Sequence, residues 1–248
     1  MTSSVPSPTA RPAPRFATTR WSLIRQARQN NEKPARAALE ELCQAYWLPV
    51  YGFMRKQTSD VHEAQDWTQG FFASLLSRNA FAELDPSFGR FRSFLLAAAR
   101  HFASNERDKN QSVQRGGRLI LQSIDYEEGE RQLANELTRG APAEVLFERQ
   151  WALAILDRVL NRLRQEYNDS DRSLLFDALA EHLSGTATDE LLCEVASRLQ
   201  VSSEAVRVSL HRLRKRYRHL LRDEIGQTTE SADDVDDEIR HLFRVLSR

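Results

Sequence analysis

Two apolar stripes at helical spacing, joined by only a few residues, constrain this chain more than anything else in it. They lie in TDELLCEVASRLQVSSEAVRVSLHRLRKRYRHLL, residues 188–221. Leu192, Val195, Ala196 and Leu199 form the first stripe; Val206, Leu210, Leu213, Tyr217 and Leu220 form the second. Recurrence every three or four residues predicts a helix for each. Ser202 or Ser203 stands where a side-chain oxygen can accept the unpaired N–H groups at the start of the second helix. Two faces that pack across so short a joint make a helix-turn-helix. Gln200 occupies the turn position where glycine is common, and a left-handed backbone there strains any residue with a Cβ.

Once the packed face is assigned, geometry assigns the outward one: Ser203, Glu204, Arg207, Val208, His211, Arg214, Lys215 and Arg218. From Arg198 to Arg222 there are eight Arg or Lys and one acid. A helix fits the major groove of DNA, arginine bonds guanine edges with both arms of its fork, and neighbouring cations hold phosphates. A solvated face of a helical bundle is the plainer reading of such a run.

Helical periodicity recurs along the chain. Residues Leu39, Leu42, Cys43, Tyr46, Val50, Phe53 and Met54 form one stripe, interrupted by Pro49, which should kink it or start a new segment. Ala64, Trp67, Phe71 and Leu75 form another, with Asp66 and Gln69 to its side, and Phe91, Phe94, Leu95, Ala98 and Phe102 a further one. Strand signals are nearly absent. The fold class predicted is all-α, in two helical domains. Residues 1–16 read as a disordered leader, 17–115 as a first domain, 116–143 as a linker that opens on Gly116-Gly117, 144–222 as a second domain, and 223–248 as an acidic C-terminal extension.

Composition narrows the class. The chain has 248 residues, 41% of them hydrophobic and 28% charged, with a formal net charge of zero, so a nucleic-acid partner can be argued only from local distribution. No apolar run approaches the roughly 20 residues that span a bilayer, and the N-terminus lacks the apolar core of a signal peptide. The two cysteines, Cys43 and Cys193, read as small core residues in a reducing compartment, which points to a cytoplasmic protein. Its six histidines are scattered, and neither a metal-binding motif nor a glycine-rich phosphate loop is present. An enzyme, a metal site and a cofactor are therefore not expected.

The stretch LLCEVASRLQVSSEAVRVSLHRLRKRYRHLL resembles the C-terminal DNA-reading domain of bacterial sigma factors of the extracytoplasmic-function type. Glu194, Ala196, Arg198, Leu199, Ser202, Ala205, Val206, Arg207, Val208, His211, Arg212 and Arg214 match that pattern. HEAQDWTQGFFASLL resembles the family segment that grips the clamp helices of RNA polymerase, through Asp66, Thr68, Gln69, Phe72, Leu75 and Leu76. Trp67 replaces the usual leucine there, and Gly70 stands where many members carry glutamate. FRSFLLAAARHFASNERDKNQ resembles the segment that melts and reads the minus-ten element, with Asn105 near a common aspartate.

The resemblance implies a partner, bacterial RNA polymerase core, and a second, promoter DNA, both as duplex and as melted single strand. It implies polymerase contacts at Asp66, Gln69 and Phe72. The minus-ten contacts would be Phe88, Arg92, Arg100, Asn105, Arg107 and Lys109. The minus-thirty-five contacts would be Ser202, Ser203, Arg207, His211, Arg212, Arg214, Lys215 and Arg218. Phe91, Phe94 and Phe102 share an apolar stripe that assigns them to the core, whereas Phe88 precedes the helix and is the candidate for stacking on an unstacked base.

Two other classes compete with this reading. A repressor would use the helix-turn-helix alone and has no reason to carry the Asp66–Leu76 segment. A helical adaptor would leave the outward basic row without a purpose.

The tail after Arg222 carries eight acids against three arginines. Val235, Ile239, Leu242, Phe243 and Leu246 nevertheless fall at helical spacing, which predicts an amphipathic helix over 233–246. Two roles are open to it: screening the Arg207–Arg218 row as an intramolecular regulator, or completing the core of the second domain. Whether an anti-sigma protein also acts is left open.

Overall fold

In the computed structural model, residues 32–76, 90–109, 124–138, 140–229 and 231–247 are described; the expected leader and Phe88 lie outside them. Every regular element among the described residues is helical, as predicted, and one isolated bridge pairs Arg90 with Thr229. No helix among them is long and apolar enough to cross a membrane.

Helices α1 (Glu32–Ala45) and α2 (Trp47–Gln57) are successive pieces of one stripe, broken at Tyr46. Pro49 sits in the first turn of α2, where a missing N–H leaves no bond unmade. Asp60 starts α3 (Val61–Leu75) by accepting the backbone N–H of His62 at 2.6 Å and of Glu63 at 3.1 Å. α4 (Phe91–Lys109) then packs back on α2 and α3. Phe91, Phe94 and Leu95 are buried there, as their stripe requires, while Ala98 and Phe102 of the same stripe are partly buried.

The stretch read as a linker, 116–143, contains a packed helix, α5 (Tyr126–Thr138). Its seat explains Gly129, because a Cβ at that position would meet the Trp47 ring at 2.8 Å. Around this contact Tyr126 packs edge-on against Tyr51 with ring centroids 4.9 Å apart. Glu130 accepts bonds from the Tyr51 hydroxyl at 2.6 Å and from Arg55 Nε at 2.7 Å. The second of these is why the carboxyl lies below its ordinary range despite partial burial. Gly116-Gly117 lies outside the described residues, and acids at Glu127, Glu128 and Glu130 hide the periodicity over 126–138.

α6 (Ala143–Asn168) is the spine: 26 residues, about 39 Å long at 1.5 Å per residue. It was assigned to the second domain, yet its N-terminal half packs on α2, where Leu146 touches Gly52. Its C-terminal half packs on the late helices, where Glu166 takes both Arg216 Nη2 at 2.6 Å and Arg216 Nε at 2.7 Å. One buried cluster therefore runs from Leu39 to Leu242 through Phe147, Trp151, Ile155 and Val159. After α7 (Ser173–Leu179) and a 3₁₀ turn come α8 (Asp189–Leu199), α9 (Ser203–Gly226) and α10 (Ala232–Leu246). Cys43 is buried as expected, whereas Cys193 is on the outer face of α8 and exposed.

Gly129 supplies a test with a definite sign. At an open helical site Gly→Ala stabilises by about 1 kcal/mol. Here the added methyl must displace a tryptophan ring, which costs about 1–3 kcal/mol. Gly129→Ala should therefore lower the urea midpoint, and a raised midpoint would show that α5 does not seat on Trp47.

Candidate nucleic-acid interface

α8 and α9 are set against each other by three local devices. Thr188 caps α8, its hydroxyl accepting the Leu191 N–H at 3.3 Å. At the other end Gln200 adopts the left-handed conformation, φ 56° and ψ 41°, and the Val201 N–H reaches the Ala196 carbonyl at 3.1 Å. That closure satisfies carbonyls the helix leaves open, at a cost of roughly 1–2 kcal/mol for a residue with a Cβ. Ser202, rather than Ser203, caps α9 by accepting the Ala205 N–H at 3.2 Å; Ser203 is its first helical residue. Leu192, Val195 and Ala196 bury their side chains, as do Val206, Leu210 and Leu213 on the facing helix.

With that face buried, Arg207, His211, Arg212, Lys215 and Arg218 are exposed on α9. Four of them, at 207, 211, 215 and 218, follow one line about 16 Å long. Arg207 meets Asp189 at 2.9 Å and Glu204 at 3.5 Å, with 57% of its side chain exposed. Exposed pairs of this kind contribute at most about 1 kcal/mol and exchange readily for a phosphate. Val208, 39% exposed, offers an apolar contact within the same face. Arg214 departs from the expectation: its guanidinium donates to the His182 carbonyl at 2.7 Å and the Gly185 carbonyl at 2.9 Å, holding the loop before α8. It is a brace for the turn and is removed from the DNA-facing set.

The first-domain candidates separate in the same way. Asp66 is exposed on α3, and Gln69 is half-buried beside the hydroxyl of Tyr126. Phe72 is fully buried, its ring 5.2 Å from that of Phe71, so it belongs to the core and cannot be a polymerase contact. The apolar face of α3 is wider than the one stripe suggested. Gly70 also has a structural reason, since a Cβ there would come within 3.2 Å of the Phe102 ring.

On α4, Arg100 is half-exposed with its Nε 3.2 Å from Glu144. Asn105 is exposed beside His101, and Arg107 donates to Gln57 at 2.8 Å. These three share a helix, whereas Phe88 and the Lys109 side chain lie outside the described residues.

Arg92 is the clearest correction. It is 8% exposed, donates through Nε to Glu238 at 3.0 Å and through Nη2 to the same carboxylate at 3.0 Å, and is also bonded to Glu148. Its guanidinium lies 5.0 Å from the centroid of the Trp151 ring. Burial pulls its pKa down, but the two carboxylates outweigh burial and hold it up. Next to it Arg90 reaches Glu238 at 2.9 Å, Asp234 at 3.1 Å and Asp237 at 3.2 Å. His241 completes the group, Nε2 to Glu148 Oε2 at 2.6 Å.

In the sequence Arg90 reads as one of the cations around α4 and the tail acids as neighbours of the Arg207–Arg218 row, so their pairing with each other is new. One signal was present: Glu238 lies three residues after Val235 and four before Leu242, on the buried stripe of α10. α10 itself starts and ends within a residue of its expected bounds, capped by Ser231. Its acids, however, do not reach the Arg207–Arg218 row. Asp236 pairs with Arg222, beyond that row, and Asp234, Asp237 and Glu238 turn to α4. Among the described residues no group of His, Cys, Asp and Glu is placed to hold a metal ion.

Burial divides these arginines and lysines by consequence. Arg92→Ala leaves Glu238 buried with half its partners and should destabilise by about 3–5 kcal/mol in urea. Lys215→Ala should stay within about 0.5 kcal/mol of the parent. Equal effects would contradict the division. No family model matches the chain, and neither a curated protein nor a solved structure is similar to it.

Proposed function

We propose that this chain is a sigma factor: it binds the core of bacterial RNA polymerase and directs promoter recognition, melting and initiation. The observation that carries the reading is the α8–α9 pair, which holds an exposed line of Arg207, His211, Lys215 and Arg218 on a helix braced from behind. Such a helix can enter a major groove with its N-terminal residues nearest the base edges. Arg207 and His211 are then the base-reading residues, with Arg212, Lys215 and Arg218 on phosphates. Exposed Asp66, flanked by Gln69, supports a polymerase-facing surface on α3, and Arg100, Asn105 and Arg107 remain as strand contacts on α4.

Burial of Phe72 and Arg92 favours a second reading, a helix-turn-helix DNA-binding protein that acts without polymerase. Gel filtration with bacterial core polymerase separates the two. The first reading expects coelution, and Asp66→Ala should weaken it by about 1.5–3 kcal/mol while leaving the melting temperature unchanged. Independent migration of the parent chain would leave only the second.

The DNA assignments are tested on a randomised promoter library. Arg207→Ala should change which minus-thirty-five sequences are selected. Lys215→Ala or Arg218→Ala should weaken all sequences together and lower the salt slope by about 0.9. An Arg207→Ala protein with the parent's preference would remove Arg207 from base reading.

A further inference from the structure

We propose that α10 is an internal occupant of a nucleic-acid-binding surface at the start of α4, and that single-stranded DNA competes with it for Arg90. The inference rests on the reading of α4 as a strand-binding element and adds its regulation.

Four observations carry it. First, the start of α4 is strongly positive. Arg90 stands immediately before the helix and Arg92 in its first turn, at the positive end of a helix dipole that favours anions. Second, α10 supplies every carboxylate on Arg90, Asp234, Asp237 and Glu238, and one of the two on Arg92, whose other partner is Glu148 of α6. The α10 carboxylates lie within one turn and bond guanidinium forks as phosphate oxygens do. The Ser231 hydroxyl and, against burial, the Arg90 guanidinium hold Asp234 below the usual aspartate range. Third, the segment leading into α10 takes a backbone donor of the same site: the Phe91 N–H donates to the Thr228 carbonyl at 2.9 Å.

Fourth, α10 is held by charge as well as by apolar burial. Val235 and Leu242 are buried and Ile239, Val245 and Leu246 pack against the core, while Phe243, expected on the packed stripe, is 55% exposed. An element docked through ion pairs is weakened by salt and can be exchanged for another polyanion. A helix that merely completed a core would bury its phenylalanine and keep its acids on the solvent side. Here Glu238 is 1% exposed and its partners lie on α4, not on the Arg207–Arg218 row that the acidic tail was expected to cover.

The test uses the full chain without polymerase and a labelled oligothymidylate. Asp234→Asn, Asp237→Asn and Glu238→Gln together should tighten strand binding by about tenfold or more, and adding Arg90→Ala should abolish the gain. A folded triple variant that binds no tighter overturns the proposal, as does a gain that survives Arg90→Ala. Because the triple variant could fail to fold, hydrogen exchange on the parent chain gives a second measurement. Saturating strand should accelerate exchange of the 232–246 amides and spare α8, whereas unchanged exchange over 232–246 overturns the proposal. Oligothymidylate offers a phosphate chain without promoter sequence or polymerase. Loss of polymerase coelution would therefore sink the initiation reading and leave this competition measurable.

Discussion

A buried carboxylate must be paired, and the pairing of Glu238 with Arg92 holds the rest of this molecule in place. Arg92 belongs to α4, Glu148 and Trp151 to α6, and Glu238 to α10, so one guanidinium joins three helices from distant parts of the chain. Its planar fork satisfies two carboxylates while its face covers an indole, a geometry an ammonium group could not reproduce. Each charge is tolerable only while the others remain, which makes the junction all-or-none. That cooperativity suits a contact that is either closed or exchanged, and it fits poorly with gradual loosening.

The junction also accounts for the charge distribution. The chain has equal numbers of acidic and basic residues, yet they do not cancel locally. Acids of α10 are consumed at the start of α4, and Asp236 takes Arg222 at the far end of α9. The basic line from Arg207 to Arg218 is left facing solvent, and among the described residues Arg207 is its one member paired with acids. The same spine, α6, underlies the junction and this line, because it packs on α2 at one end and on α9 at the other.

The sequence by itself determined what depends on near neighbours in the chain. Helical spacing settled the all-α class, the α8–α9 pair and the bounds of α10, because a helix buries one face whatever covers it. The Ser202 cap and the strained turn at Gln200 were legible for the same reason: each is a bond or a steric clash within a few residues. The outward direction of Arg207, His211, Lys215 and Arg218 followed once their helix was known. What only the tertiary structure decided was which charges have partners. Arg92, Arg214 and Lys215 look alike as letters. A carboxylate 146 residues away buries the first, two loop carbonyls capture the second, and the third stays in water. Phe72 and α5 were missed on similar grounds, since a core face can be wider than one stripe, and a helix rich in acids is apolar only where Gly129 and Leu133 meet α2. Periodicity is a local energy and can be read along the chain. Desolvation of a charge depends on what the fold brings against it, and that is fixed only in three dimensions.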